Sequence, residues 1–357
     1  SQCFGEEYAQ YRNRPVQRNP NRDFQLMSRV LEFEGNRHEF EKPMRIISEY
    51  DVPEDAWFFQ QNSHPQWMPY SVLMEIALQP CGFISANSGA MLIYPELDLH
   101  YRNLDGNGTL SKSIDLRGKT IQAEVELYST VASGNTVIQK HRFLLKCEGL
   151  PFYEGDTVFG YFTDEALENQ TGLDGGKAKL PWLDENTNHD MKVYRLNDSN
   201  SRLESGKPHL KLAGNQLNLL DEVHLSPSVG SHGKGYAYGK RIVDPKDWFF
   251  PCHFHQDPVM PGSLGVEAIL QALQVFCLDQ KLGDSFSNPR FRPSLSQTRW
   301  KYRGQIIPTT GMMQLELHVS KIEKQDEQLM LVADASLWRD ELRIYEVQNI
   351  SLVIEEA

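Results

Sequence analysis

The chain has 357 residues, 40% of them hydrophobic, so its length and composition predict two or three globular domains with a sizeable core. The formal net charge of -12 argues against a nucleic-acid-binding protein, because contacts to phosphate require a basic surface. No run approaches the roughly 18 consecutive apolar residues of a membrane-spanning helix, and 5 scattered cysteines without a C-x-x-C pair indicate neither a disulfide framework nor a cysteine zinc site.

The N-terminal part contains an apolar helix followed by alternating segments. The start, Ser1-Gln2-Cys3-Phe4, has no initiator methionine and no signal-peptide core, which fits a segment of a longer polypeptide or a trimmed chain. The odd number of scattered cysteines favours a reducing, cytoplasmic setting. Met68-Pro69 predicts the start of a buried helix, since proline is tolerated there, and we expect Pro80 to end it. Residues 121–127 alternate between apolar and polar side chains, which predicts an antiparallel strand with one solvated face, and residues 143–147 predict another.

The C-terminal part repeats this order of elements. A polar, glycine-rich linker is predicted at residues 171–214, between an N-terminal half at 1–170 and a C-terminal half at 215–357. Met260-Pro261 predicts a second helix start, and the apolar residues at 264–276 predict a second buried helix. Further strands are predicted at residues 315–319, 328–337 and 348–354.

An internal repeat relates the two parts. Residues 51–59 (DVPEDAWFF) recur as residues 243–250 (VDPKDWFF), and each copy precedes a Met-Pro pair and an apolar helix with one glutamate. The glutamates, Glu75 and Glu267, stand at the same distance from the methionine of their Met-Pro pair. We therefore predict an α+β fold of two halves, each with a buried helix wrapped by an antiparallel sheet.

The second helix start carries a recognisable motif. The segment from His253 to Ala268, HFHQDPVMPGSLGVEA, resembles the signature of the FabA-like 3-hydroxyacyl-[acyl-carrier-protein] dehydratases. The duplicated layout is similar to the double-hotdog dehydratase domains of polyunsaturated fatty acid synthases, and residues 63–83 look like their degenerate first half. The segment KYRGQIIP at residues 301–308 also carries the resemblance. The resemblance implies a double hotdog fold. It also implies the conversion of a 3-hydroxyacyl thioester into a trans-2-enoyl thioester in fatty acid or polyketide-type biosynthesis.

Dehydration needs a base that removes the α-proton and an acid that protonates the departing hydroxyl group. A neutral histidine suits the first task, and a buried, protonated carboxylic acid suits the second. The candidate catalytic residues are therefore His253, Glu75 and Glu267. Backbone N–H groups at the start of the second helix, near Gly262 and Ser263, would stabilise negative charge on the thioester oxygen.

The resemblance also implies which residues act together, since in the family the histidine of one hotdog works with the acid of the other. If the same arrangement holds in this chain, His253 acts together with Glu75. The acid Glu267 is left without a base, because Asn62 or a near neighbour stands where the first-half histidine should be. We expect one competent and one vestigial site. The acid is glutamate, as in FabZ-like dehydratases, where FabA-like enzymes usually have aspartate, so a trans-2 to cis-3 isomerisation is left open.

The same residues have non-catalytic interpretations. His253 could be a structural histidine, and either glutamate could face solvent at a helix edge. In an extended segment His253, His255 and Asp257 would share a face and could bind a metal ion, but no further ligand cluster is evident, so we expect no metal. The glycine-rich residues 230–240 lack the spacing of a phosphate loop and predict a turn before a strand.

Basic residues concentrate in the stretch 285–314, which contains no acidic residue. They could dock an acidic acyl carrier protein, or they could form an ordinary solvated strand face. The resemblance implies a substrate carried on the phosphopantetheine of that protein, no cofactor, and neighbouring synthase domains as partners, and a homodimer is left open. The basic residues are Arg290, Arg292, Arg299, Lys301 and Arg303.

Two other functions compete with dehydration. A hotdog thioesterase would use a carboxylate and water and would not require His253. A non-catalytic scaffold or acyl-binding module is the second alternative, because the first half has already lost its histidine. The complete motif in the second half favours the dehydratase.

Overall fold

A single antiparallel sheet runs through the protein in the computed structural model, which describes residues 4–197, 203, 206–325 and 327–357. The strands are β1 (Arg29–Glu34), β2 (Met44–Asp51), β3 (His100–Leu110), β4 (Thr120–Ser133), β5 (Thr136–Cys147), β6 (Leu150–Phe162), β7 (Lys192–Arg195), β8 (Glu222–Ser226), β9 (Tyr236–Ile242), β10 (Pro289–Pro293), β11 (Gln297–Tyr302), β12 (Met312–Gln325), β13 (Gln328–Arg339) and β14 (Leu342–Glu356). The helices are α1 (Trp57–Gln61), α2 (Tyr70–Ser88), α3 (Asp164–Glu168), α4 (Trp182–Glu185) and α5 (Gly262–Asp279).

The spatial order of the strands confirms the internal repeat. It reads β1-β2-β4-β5-β6-β3-β11-β14-β13-β12-β9-β8-β7, with β10 paired to β14, so the second half mirrors the order of the first. The halves join where β3 pairs with β11, with Arg299 opposite Asn107. The long helices α2 and α5 are buried almost throughout, each against its own half of the sheet, and they also pack against each other. The predicted α+β double hotdog is therefore confirmed, with two buried helices side by side inside one continuous sheet.

An equivalent side-chain contact occurs within each half. The side-chain oxygen of Gln79 on α2 accepts a hydrogen bond from the backbone N–H of Leu26 at 2.9 Å. The side-chain oxygen of Gln271 on α5 accepts one from the backbone N–H of Leu219 at 2.9 Å. Each glutamine follows its helix glutamate by one helical turn, so both helices fix the chain that leads into β1 or β8 in the same way.

The expectation that Pro80 ends the first helix is wrong. The helix continues through Pro80 to Ser88 and stops at Gly89, whose φ of 83° is the left-handed conformation that glycine adopts readily. A proline inside a helix costs about 3 kcal/mol through the lost hydrogen bond and the ring clash. The turns after Pro80 bury side chains such as Cys81 and Ile84 completely, and this burial outweighs the penalty.

The predicted strands all fall within observed strands, and the glycine-rich residues 230–240 form a turn that enters β9, as expected. The predicted linker, residues 171–214, contains α4 and β7 in its described part. It packs on the second half, where Trp338 Nε1 donates a hydrogen bond to the Lys179 carbonyl at 2.7 Å. The half boundaries at residues 170 and 215 stay a prediction.

By length and composition, Tyr70–Ile93 could cross a membrane, although it contains no uninterrupted apolar run of that length. However, 78% of its most apolar window is buried inside the protein, and the core helix of a globular protein passes the same test. The segment is therefore weak evidence for a membrane span. The described cysteines are buried free thiols at positions 81, 147, 252 and 277.

Candidate active site

A cavity opens between the two halves, beside the N-terminus of α5. It contains about 850 Å³ of space, counting the part that is open to solvent at its mouth. Its lining combines Glu75 and Tyr101 from the first half with His253, Ser263 and Tyr302 from the second. The structure therefore brings the predicted base and one predicted acid, which lie far apart in sequence, to the same cavity, here called the first cavity.

His253 is held in the loop that precedes α5. Its backbone N–H donates to the Phe249 carbonyl at 3.0 Å, and its ring stacks on Phe254 with a centroid distance of 3.9 Å. The ring nitrogen Nδ1 lies 2.9 Å from the carbonyl oxygen of Val259. Because a carbonyl only accepts, Nδ1 carries the proton, and the unprotonated Nε2 is left as the basic atom. Burial lowers the pKa of His253 to about 4, so the imidazole is neutral at neutral pH.

Glu75 projects from α2 toward the first turn of α5. Its Oε1 accepts a hydrogen bond from Ser263 Oγ at 2.7 Å, and the residue is only 5% exposed. Burial raises the pKa of Glu75 to about 7, although the hydrogen bonds from Ser263 and Gln79 oppose the shift. A large share of the Glu75 carboxyl groups therefore holds a proton at neutral pH, as a general acid requires.

Glu267 lies in a second cavity, related to the first by the internal repeat. Its Oε2 accepts a hydrogen bond from the backbone N–H of Ser71 at 3.0 Å, at the start of α2, and burial raises the pKa of Glu267. Both Asn62 and Glu267 line this second cavity, and no histidine is among its described lining residues. The second cavity therefore has an acid but lacks an imidazole base.

Asn62 occupies the place that corresponds to His253. Its Nδ2 donates to the carbonyl of Trp67 at 2.7 Å, just as His253 Nδ1 donates to the carbonyl of Val259. Each acceptor is the residue before the methionine of a Met-Pro pair. The same backbone contact is kept in both halves, but an amide cannot accept a proton as imidazole does.

The N–H groups predicted to stabilise the thioester oxygen lie at the edge of the first cavity. Gly262 and Ser263 are the first two residues of α5, and both line the cavity. First-turn N–H groups have no acceptor within their own helix, so they are available to a bound oxygen.

The basic residues predicted to dock a carrier protein differ in their surroundings. Arg290 and Arg292 both bind the carboxylate of Glu355, at 3.0 and 2.6 Å, and Arg292 is buried. Arg303 is paired with Asp105 at 2.9 Å. The two residues with exposed side chains are Arg299 and Lys301.

An ion pair between the two halves holds the loop that contains His253, and it was not predicted from the sequence. The pair of Arg102 and Asp257 is here called the clamp. Arg102 on β3 donates two hydrogen bonds of 2.6 Å to the carboxylate of Asp257, and His100 Nδ1 lies 3.1 Å from the same carboxylate. Burial opposes ionisation, but the hydrogen bonds from His100 and Arg102 hold the pKa of Asp257 well below its usual range. Asp257 thus anchors the loop. In the described part of the chain, no group of three or more His, Cys, Asp or Glu side chains could hold a metal ion. Sequence spacing provides no signal for a partner on a distant strand.

The N-terminal segment also contributes to the first cavity, and no sequence pattern indicated this. Residues 17–20 line the cavity, and Gln17 Nε2 donates to the Gly82 carbonyl at 2.8 Å. The backbone N–H of Asn21 donates to the carbonyl of Cys252, beside His253, at 2.9 Å. This segment therefore closes one side of the cavity.

The family model described as a FabA-like domain matches residues 212–348. A polyunsaturated fatty acid synthase protein of Thraustochytrium sp. (strain ATCC 26185 / S-3) is 35% identical over 372 residues, which cover 99% of this chain and 25% of that protein. The chain therefore spans about a quarter of the length of this relative.

Solved structures that match this chain over most of its length include two dehydratases. The dehydratase domain from the CurJ module of curacin polyketide synthase has a TM-score of 0.47 and 12% identity, covering 93% of this chain and 96% of its own. GphF dehydratase 1 has a TM-score of 0.48 and 12% identity, covering 93% and 98%. Similarities of this size decide nothing about activity. The match over residues 212–348 and the identity to the Thraustochytrium protein show that this chain contains a FabA-like domain and is related to one segment of a polyunsaturated fatty acid synthase.

Proposed function

We propose that the protein is a hydro-lyase that converts a 3-hydroxyacyl thioester into the trans-2-enoyl thioester and water. The observation that carries the proposal is that His253 and Glu75, from different halves, line one cavity with a neutral imidazole and a protonated carboxyl group. Their environments move the two pKa values in opposite directions, which gives one group the role of base and the other the role of acid. The match to the FabA-like domain supports this assignment.

In the proposed reaction, Nε2 of His253 takes the α-proton of the substrate. The electron pair of the Cα–H bond forms the new double bond as the bond from Cβ to the hydroxyl oxygen breaks. Glu75 gives its proton to the departing oxygen, which leaves as water. The Val259 carbonyl stabilises the imidazolium, and the first-turn N–H groups at Gly262 and Ser263 stabilise charge on the thioester oxygen. Return of the proton from His253 to Glu75 completes the cycle, and no cofactor takes part.

The proposed substrate is carried on the phosphopantetheine of an acyl carrier protein. The relative in Thraustochytrium is part of a fatty acid synthase and is about four times as long as the aligned segment, which supports neighbouring synthase domains as partners. The exposed side chains of Arg299 and Lys301 are the proposed contacts for an acidic carrier protein. The cytoplasmic location stays a prediction, and both an isomerisation step and a homodimer stay open.

The test uses 3-hydroxybutyryl-pantetheine and separates the competing functions by product. A dehydratase forms the enoyl thioester, which absorbs in the ultraviolet, whereas a thioesterase releases free thiol. The variant His253→Ala should remain folded and lose enoyl formation, because the α-proton then has no acceptor. Release of thiol by the wild-type protein would favour a thioesterase, and binding without either product would favour a non-catalytic acyl-binding module.

A further inference from the structure

The first cavity contains a buried hydroxyl group that the proposed reaction does not yet use. Tyr302, the last residue of β11, lines this cavity together with His253 and Glu75 and is 4% exposed. Its hydroxyl has no hydrogen-bond partner among the described residues. Buried polar groups in native proteins are almost always paired, and an unpaired one calls for an explanation, of which a catalytic role is one. The hydroxyl is therefore a candidate ligand-binding group.

The position of the Tyr302 ring is fixed by the start of α5. A Cβ atom at Gly262 would lie 2.6 Å from Cε2 of Tyr302 and 3.0 Å from its Cζ, so only glycine lets the ring approach this closely. The ring also packs against Tyr345, with a centroid distance of 4.2 Å. The ring carbon that carries the hydroxyl therefore lies beside the first turn of α5, where the free N–H groups are.

The matching place in the first half is built differently. Tyr70 is the first residue of α2 and corresponds to Gly262, since each follows the Met-Pro pair directly. The Tyr70 hydroxyl has a partner, since it lies 3.3 Å from the hydroxyl of Tyr153. The glycine and the unpaired hydroxyl are thus found together only in the half that has the catalytic histidine motif, within the described structure.

The Tyr302 hydroxyl is suited to donate a hydrogen bond. Burial raises the pKa of Tyr302 well above its usual value, so the phenol stays protonated. During removal of the α-proton, negative charge develops on the thioester oxygen, and donors placed near that oxygen stabilise it. Donation transfers no proton to the substrate and forms no covalent bond.

We propose that Tyr302 donates a hydrogen bond to the thioester carbonyl oxygen of the acyl substrate, beside the first-turn N–H groups of α5. This inference rests on the proposed dehydratase function, because it places the thioester at the start of α5. Tyr302 would then be a catalytic residue, since its hydroxyl touches the group on which charge develops.

The test compares two unreactive ligands that differ only in the carbonyl group. Butyryl-pantetheine has the thioester carbonyl, and S-butyl-pantetheine has a methylene in its place. The variant Tyr302→Phe keeps the ring and should bind butyryl-pantetheine about tenfold more weakly while binding S-butyl-pantetheine as the wild type does. Its kcat for 3-hydroxybutyryl-pantetheine should fall on the order of 100-fold. The control Tyr153→Phe, which removes a buried hydroxyl from the other half, should change neither value.

Several outcomes would overturn the inference. Equal weakening of both ligands would indicate a packing role, and no weakening of either would show that the hydroxyl is not used. Weakening seen only with 3-hydroxybutyryl-pantetheine would place the hydroxyl at the substrate's 3-hydroxyl group instead. If Tyr302 proves not to bind the thioester oxygen, the proposed function still stands as long as the wild-type protein forms the enoyl thioester. If the wild-type protein does not form that product, the proposed function itself is rejected.

Discussion

Ser263 Oγ donates a hydrogen bond of 2.7 Å to Oε1 of Glu75, so the acid of the first half is held against the first helical turn of the second. The reciprocal contact runs from the N–H of Ser71 to Glu267 at 3.0 Å. Each glutamate therefore belongs to a cavity completed by the other half. Because only the second half supplies a histidine at the equivalent position, this exchange places Glu75 in the cavity that His253 lines and leaves Glu267 with Asn62.

The first prediction concerns the two glutamates. Glu75→Gln keeps the size of the side chain but removes the proton donor, so kcat for 3-hydroxybutyryl-pantetheine should fall by about 10²- to 10⁴-fold. Glu267→Gln makes the same change in the second cavity and should leave kcat within about twofold, since distant sites act independently. Steady-state kinetics on both variants checks this, and a greater loss for Glu267→Gln would reverse the assignment of the acid.

The second prediction concerns pH. The pKa of His253 is lowered to about 4, so the base is protonated and inactive only below that pH. The pKa of Glu75 is raised to about 7, so the acid loses its proton as the pH rises through that value. The ratio kcat/KM should therefore rise through about pH 4, stay high, and fall above about pH 7. A rate that is constant from about pH 5 to 9 would contradict the role of Glu75 as a proton donor.

The third prediction concerns the clamp between Arg102 and Asp257. Asp257 does not line the first cavity, so its effect on catalysis must pass through the His253 loop. Asp257→Asn weakens two charge-assisted hydrogen bonds, worth roughly 1.5–3 kcal/mol each, and should lower both the melting temperature and, by about tenfold, kcat.

A comparable contact between the halves serves as a control for the clamp, with Arg290 of the second half bound to the loop that precedes α2 in the first. Arg290 NH1 donates to Gln66 Oε1 at 2.6 Å, and Gln66 follows Asn62 as Asp257 follows His253. Arg290→Met should lower the melting temperature but leave kcat with the pantetheine substrate within about twofold, because the second cavity lacks a base. An equal loss of kcat in both variants would show a general effect on stability rather than positioning of His253.

The sequence predicted the local elements because they follow from periodicity and repetition. Alternation of apolar residues located β4 and β12, and the repeat of the Met-Pro helices located Glu75 and Glu267 as equivalent residues. The pairing of Glu75 with His253 came from the family resemblance, and its catalytic role stays a prediction. Contacts between distant strands leave no such local pattern. Arg102 and Asp257 are separated by 155 positions, and nothing in the spacing of either residue indicates the other.

Other features escaped the sequence because they depend on packing. Pro80 predicts a helix end by its missing N–H, but the buried turns beyond it decide the outcome. Arg292 looks like a surface cation in the sequence, and only the fold shows that it is buried against Glu355. The unpaired hydroxyl of Tyr302 likewise becomes visible only when the ring is placed against Gly262.

The fourth prediction concerns the carrier protein. Charge reversal of the two exposed residues, Arg299→Glu with Lys301→Glu, should raise KM for a carrier-bound substrate about tenfold and make it less sensitive to salt. The KM for 3-hydroxybutyryl-pantetheine should stay the same, because that substrate has no protein surface to dock. An unchanged KM for the carrier-bound substrate would favour the ordinary strand face.

The fifth prediction tests whether the second cavity lacks only its base. Asn62→His places an imidazole where Asn62 now donates to the carbonyl of Trp67, the contact that fixes the tautomer of His253 in the other half. Glu267 is already buried in that cavity, and burial raises its pKa, so the cavity already contains a candidate acid. In a His253→Ala background, where the first cavity is inactive, this change should raise kcat about tenfold or more.

A second change strengthens this test, because Tyr70 stands at the position that matches Gly262, where glycine lets the Tyr302 ring lie against the first turn of α5. Adding Tyr70→Gly to Asn62→His and His253→Ala should increase turnover further, by opening the start of α2 to the thioester. The regained activity should disappear with Glu267→Gln and survive Glu75→Gln, the reverse of the wild-type pattern. If a folded triple variant, checked by circular dichroism, gains no activity, the two cavities differ in more than the base, and their equivalence under the internal repeat does not extend to chemistry.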